Sequence, residues 1–126
     1  MKISRFEDLE CWQEARELVK MVYEAITKSE KFKRDYRLNT QATDACVSVM
    51  SNIAEGFSRH SNREFIQFLY ISKSSASEIQ SIFYAAQDQS YVKQETFNKV
   101  YNQADKISKM NSNLIKYLAS QPKKLK

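Results

Sequence analysis

The stretch Ser61–Ala86, SNREFIQFLYISKSSASEIQSIFYAA, decides the fold. Apolar or small residues recur in it every three or four positions for more than twenty residues, which is the period of an α-helix with one buried face. That stripe comprises Phe65, Phe68, Leu69, Ser72, Ala76, Ile79, Phe83 and Ala86. We predict a helix over 62–89; the quoted stretch alone would span about 35–40 Å at roughly 1.5 Å per residue, so its partners must also be long.

Three further stretches share this period and predict helices over 7–27, 39–57 and 94–119. Glycine and proline each occur once, as Gly56 and Pro122, although β-hairpins need turn residues at short intervals. The sequence therefore predicts an all-α protein, an antiparallel up-and-down four-helix bundle formed by 1–120 as one domain. The expected core includes Trp12, Val49, Ile53, Phe68, Ala76, Phe83, Val100 and Ile107.

Basic residues concentrate in two segments, 28–37 and the predicted C-terminal tail 121–126. Five basic and two acidic residues in the first, with three lysines in the second, give these segments a net charge of +6, against +5 for the whole chain. We predict that 28–37 is a loop with Phe32 and Tyr36 packed beneath it, and that Asn39 or Thr40 caps the next helix. Such a cluster either binds phosphate or serves as a solvated connector.

The residues that familiar enzymes require are largely missing. His60 is the only histidine, and the chain has no CxxC pair, no glycine-rich phosphate loop and no pair of Glu-x-x-His motifs. We therefore expect no catalytic residues, no metal and no cofactor. Cys11 and Cys46 lie in apolar stretches and are interpreted as buried free thiols of a cytoplasmic protein that does not enter a membrane.

A polar motif surrounds the junction of the second and third predicted helices. Asn52 and Glu55 lie one turn apart beside core positions, and Ser61 with Glu64 forms a capping-box pattern. We interpret the motif as a structural network that ties the two helices together through Arg59, Arg63 or Glu78; a ligand site is the alternative. The complete set is Asn52, Glu55, Gly56, Ser61, Glu64 and Glu78.

The stretch Ser51–Arg59, SNIAEGFSR, followed by Ser61 and by Glu64-Phe65, resembles the four-helix bundle family of proteins encoded in intervening sequences of bacterial large-subunit ribosomal RNA genes. The accessory variability determinants of diversity-generating retroelements are related to it. The resemblance extends along the chain through Phe6, Leu9, Trp12, Ala15, Phe32, Tyr36, Leu38, Gln41, Glu78, Ala86 and Tyr91. It implies a ring of five copies, a basic surface for nucleic acid and, in the retroelement branch, a reverse transcriptase as partner.

The sequence departs from this family pattern at several positions. Thr43 and Asp44 stand where the family usually carries two arginines, so two positive charges are lost per chain. Arg37 and Ser90 replace glycines, Gln89 replaces a leucine and Met50 replaces a proline.

Two hypotheses for function follow from these observations. The first is an oligomeric accessory protein that binds RNA or DNA phosphates through Lys31, Lys33, Arg34, Arg37, Arg59, Arg63 and Lys73. The second is an assembly or adaptor module whose partner is another protein. Ile66, Tyr70, Ile71 and Ile82 fall off the main stripe of their helix and predict a second buried face, as in a homo-oligomer.

Overall fold

Five helices and a short 3-10 turn make up the computed structural model, which describes residues 3–121; that range contains no β-strand. The elements are the turn Phe6–Asp8, α1 Glu10–Thr27, α2 Glu30–Arg34, α3 Tyr36–Phe57, α4 Asn62–Asp88 and α5 Gln94–Ala119. Four helices are long, and α2 is a single short turn between α1 and α3. The prediction of an all-α bundle is confirmed. The predicted tail lies outside the described residues from 122 onward.

The long helices pack in the ring order α1, α3, α4, α5, with α1 also against α5. Short connections make chain neighbours antiparallel, which gives the bundle two distinct ends. One end, named the α2 end here, contains the C-terminus of α1, all of α2, the start of α3 and the α4–α5 connection, because Phe32 of α2 stacks on Tyr91 of that connection. The α3–α4 connection lies at the other end.

Most of the predicted core is buried, but two of its aromatic residues are not. Trp12 is partly exposed, because its ring packs edge-on against Phe6 at the bundle margin and the Arg16 guanidinium lies 5.9 Å from its centroid. Phe68 is also partly exposed, with the Arg59 guanidinium 4.7 Å from its ring. The fully buried predicted residues are Val49, Ile53, Ala76, Phe83, Val100 and Ile107.

The prediction of a loop over 28–37 is wrong. Ser29 caps α2 by accepting a hydrogen bond from the Phe32 backbone N–H, and the Phe32 ring is completely buried. Asp35 caps α3, in place of Asn39 or Thr40, by accepting from the Leu38 N–H at 3.1 Å. Tyr36 does not pack beneath the segment, because its side chain is 78% exposed. One apolar anchor between two capping residues is therefore enough to make this charged segment helical.

Gly56 lies at a close approach of α3 and α4. A Cβ atom added there would meet the Phe65 Cδ1 at 2.7 Å and the Phe68 Cβ at 2.8 Å. The second of these atoms is attached directly to the backbone of α4, so it cannot move aside by a rotamer change. Only glycine fits this position without separating the two helices.

Replacing Gly56 with alanine should destabilise the protein. Overpacking of this contact outweighs the gain in helix propensity, and we expect a net loss of about 1–2 kcal/mol of unfolding free energy in a denaturant titration. Ser51→Ala, at an exposed position of the same helix, is the control and should change stability by less than about 0.5 kcal/mol. A Gly56→Ala variant as stable as the wild type would show that the contact relaxes freely.

The C-terminus of α4 closes in a left-handed cap. The Tyr91 N–H donates to the Ala86 carbonyl at 2.8 Å, and the Ser90 N–H donates to the Gln87 carbonyl at 2.9 Å. This is a Schellman motif, in which the residue at the position of Ser90 adopts a positive φ and is usually glycine. Ser90 has φ 62°, so a serine occupies a backbone conformation that strains its Cβ.

Replacing Ser90 with glycine should stabilise the protein by about 1 kcal/mol, because the left-handed conformation costs a side chain about that much. Gln89→Gly is the matched control, since Gln89 has an ordinary φ of −85° and gains nothing from glycine. Thermal unfolding should rank Ser90→Gly above the wild type and Gln89→Gly at or below it. The opposite ranking would show that the serine is unstrained.

Candidate functional site

Four of the predicted phosphate-binding residues project from the α2 end. Lys31, Lys33 and Arg34 lie on α2, Arg37 lies in the first turn of α3, and all four are exposed. Glu30 pairs with Lys33 at 3.1 Å and with Arg34 at 3.7 Å. Within residues 3–121, Lys31 and Arg37 form no ion pair. Because exposed pairs of this kind are weak, all four cations are available to an anionic partner.

The other three predicted residues do not join this cluster. Arg59 follows α3, which has 22 residues and is therefore about 33 Å long, so Arg37 and Arg59 lie at opposite ends of the bundle. Arg63 is exposed in the first turn of α4, and Lys73 lies midway along that helix, 5.8 Å from the Tyr70 ring. The predicted set thus forms two separate groups and one isolated lysine.

Sequence reasoning missed two lysines that the fold brings to the α2 end, beside Lys28 of the predicted basic segment. Lys93 precedes α5, and Lys99 lies in the second turn of α5. The antiparallel order of the helices was the available signal, since it places the end of α1 and the start of α5 at one end of the bundle. The positive surface at this end is therefore wider than the segment 28–37.

The polar motif ties α3 to α4 through two serines and through one of the predicted partners, Arg59. Asn52 donates to the Ser48 carbonyl at 2.8 Å and to the Ser48 hydroxyl at 2.9 Å. That hydroxyl meets the Ser75 hydroxyl of α4 at 2.8 Å. In the described part of the chain, neither Arg63 nor Glu78 takes part, and Glu78 is exposed. The predicted link between the helices is therefore present, made by two serines and by the Arg59 guanidinium over the Phe68 ring of α4.

The remaining motif residues act locally. Glu55 forms an ion pair with Arg59 at 2.8 Å, four residues further along the chain. Ser61 caps α4 by accepting from the Glu64 N–H, and its hydroxyl donates to the Glu64 carboxylate at 3.2 Å. Gly56 makes the close helix contact described above. Within residues 3–121, every motif residue except the exposed Glu78 therefore has a structural contact.

A hydrogen-bond relay that the sequence analysis did not predict crosses the centre of the bundle. The Ser72 hydroxyl of α4 donates to the Val49 carbonyl of α3 at 2.8 Å. Because the hydroxyl hydrogen is used in that bond, the same oxygen accepts a hydrogen bond from the Asn111 side-chain amide of α5 at 3.0 Å. Ser72 and Asn111 are completely buried, and the Asn111 Oδ1 has no partner among the described residues.

The nucleophilic side chains are in unreactive surroundings. Burial raises the pKa of the Cys11 thiol and that of the Cys46 thiol to about 12, so both are protonated at neutral pH. Ser61 is engaged as a helix cap and His60 is exposed beside it. Across residues 3–121, no cluster of three or more His, Cys, Asp or Glu side chains is placed to hold a metal ion.

None of the helices described within 3–121 has the length and apolar character needed to cross a membrane.

Comparisons with known proteins agree with this architecture. The crystal structure of a protein of unknown function from the S23 ribosomal protein family of Bacteroides thetaiotaomicron superposes with a TM-score of 0.76. The two are 20% identical over 84% of this chain and 98% of that one, which shows a shared fold. No curated protein sequence matches the chain. The family model described as 23S rRNA-intervening sequence protein matches residues 7–113. The chain therefore belongs to the 23S rRNA-intervening sequence protein family, as its SNIAEGFSR motif had indicated.

Proposed function

We propose that the chain is a non-catalytic, oligomeric accessory protein that binds the phosphates of RNA or DNA through its α2 end. The observation that carries this proposal is the group of exposed cations on α2 and the first turn of α3, held outside the core by one buried aromatic residue, Phe32. Membership of an rRNA intervening-sequence family supports nucleic acid as the anionic partner.

Binding of this kind depends on charge and carries little sequence information. Lysine and arginine side chains on an exposed surface contact the phosphate backbone, which is common to all sequences. Asp44 weakens the expected site, because it is exposed on α3 and stands where the family has an arginine. Thr43, at the neighbouring family position, donates its hydroxyl hydrogen bond to the α3 backbone. We therefore expect weak, salt-sensitive binding.

The outer face of α4 supports assembly of several copies. Tyr70 is 54% exposed and Ile71 is 48% exposed, although both belong to the second apolar face predicted for this helix. That prediction holds only in part for the single chain, because Ile82 is buried in the bundle core and Ile66 is partly buried against it. A homo-oligomer covers the two exposed side chains, and the number five comes from the family resemblance.

The same exposed pair favours the second candidate, an adaptor whose relevant partner is another protein. Exposed aromatic and aliphatic side chains are typical anchors of protein interfaces. Neighbouring genes separate the candidates: a reverse transcriptase gene or a ribosomal RNA operon favours nucleic-acid binding, and an unrelated operon favours the adaptor.

Replacing Lys31, Lys33, Arg34 and Arg37 with glutamate should abolish binding to mixed RNA and DNA in a gel shift at about 50 mM salt, because it reverses the charge of the α2 end. Circular dichroism should show an intact bundle, since none of the four side chains is buried. Asp44→Arg should strengthen binding by restoring one positive charge. Wild-type protein that binds nothing at this salt, or a quadruple variant that still binds, would leave the adaptor as the remaining candidate.

Sedimentation of the wild-type protein at tens of micromolar should give a mass well above the 14.8 kDa of one chain. Ile71→Glu should lower that mass, because a charge within an apolar interface is unfavourable. Tyr117→Glu is the matched control, since Tyr117 on α5 is 49% exposed, close to the 48% of Ile71. A wild-type monomer, or equal effects of the two variants, would contradict the proposed interface.

A further inference from the structure

A groove of about 590 Å³ opens between the C-terminal half of α1 and the start of α5, at the α2 end of the bundle. Its volume lies within the range of small-molecule and cofactor sites. The apolar lining consists of Met21, Ala25, Tyr91, Val92 and Val100. Four lysines line the groove as well, Lys20, Lys28, Lys93 and Lys99. The groove thus combines an apolar lining with cationic side chains.

The lysines outnumber the carboxylates around the groove. Three glutamates line it, and each pairs with one lysine: Lys20–Glu17 at 3.9 Å, Lys28–Glu24 at 2.9 Å and Lys99–Glu95 at 3.7 Å. Lys93 has no ion pair within residues 3–121. The hydrogen bond from Lys28 lowers the pKa of Glu24, and the charge of Lys99 on the facing helix lowers it further. Positive charges on α1 and on α5 therefore both act on the groove between these helices.

Tyr91 joins this groove to the basic helix α2. Its ring lines the groove and stacks on Phe32 of α2, with the ring centroids 5.5 Å apart. Its hydroxyl donates to the Asp35 carboxylate at 2.9 Å, immediately after α2. Asp35 also caps α3. The groove and the cations of α2 are therefore fixed relative to each other and form one continuous surface.

This combination matches the chemistry of an unpaired nucleotide. A base with free faces packs on apolar and aromatic side chains, while its phosphates require cations nearby. A duplex keeps its bases stacked and paired, so it presents mainly phosphates to a protein. The α2 cations suit either form, but the groove offers an additional contact only to a single strand.

We propose that this groove seats an unpaired segment of RNA or DNA, with bases against its apolar lining and phosphates on Lys93, Lys99 and the cations of α2. The inference rests on the proposed function and deepens it by naming single strands as the preferred form. Stacking of one base corresponds to a preference of at least about fivefold for a single strand over a duplex, the low end of the stacking contribution.

The test is fluorescence anisotropy of the full chain with a labelled single strand of about ten nucleotides, as RNA and as DNA, and with a duplex of equal phosphate number. Lys93→Glu/Lys99→Glu should weaken single-strand binding at least tenfold more than the control does. The control is Lys109→Glu/Lys116→Glu on the same helix, where Lys109 pairs with Asp105 at 3.0 Å and Lys116 is exposed. Both variants change the charge equally, and each contains one ion-paired lysine.

The outcomes separate this inference from the proposed function. Single-strand preference that is lost in the groove variant and kept in the control supports the groove. Equal affinity of the wild type for single strands and duplexes, or equal losses in the two variants, overturns the groove while nucleic-acid binding stands. Failure of the wild type to bind any probe overturns both. A difference in affinity between the RNA and the DNA single strand identifies which nucleic acid the groove prefers.

Discussion

The hydroxyl of Ser72 joins three of the four long helices at the centre of the bundle and constrains their relative axial positions. An unpaired buried polar group is unfavourable. These hydrogen bonds therefore require the same height along the bundle axis for the Val49 carbonyl, the Ser72 hydroxyl and the Asn111 amide N–H. An apolar core alone would permit α3, α4 and α5 to slide by a turn. Fixing their axial positions brings Gly56 opposite Phe65 at one end of the bundle.

At the α2 end, the same apolar core supports a basic surface. A five-residue helix is unstable in isolation, because its few hydrogen bonds do not offset the cost of nucleating it. Phe32 solves this problem by packing between Phe83 and Tyr91, which leaves every basic side chain of α2 outside. Anchoring and charge are thus assigned to different residues, and the charges can change without disturbing the core.

Periodicity predicted the four long helices and most of the core, because burial on an amphipathic helix repeats with the helical turn. It did not predict how completely each residue of the apolar face is buried, so Trp12 and Phe68 were predicted to be core residues although both are partly exposed. The helix α2 was missed because its only buried residue, Phe32, is too little to show a helical period. Asn111 and the lysines near α5 were missed for another reason: their surroundings come from other helices, and only the packed structure defines them. The polar motif was correctly placed at the α3–α4 junction and its predicted partner Arg59 contacts α4, but the linking serines were missed.

The seam between α1 and α5 has consequences for the order of folding. Its contacts join residues far apart in sequence, as in the hydrogen bonds from Gln103 to Glu14, 89 positions away. The α3–α4 pair, by contrast, is joined by a short connection and closes a small loop, so its contacts form at lower entropic cost. Since α4 and α5 are joined by a short connection as well, we expect the α3–α4 and α4–α5 hairpins to form before α1 docks onto α5. In the native state, that seam is where transient opening would begin.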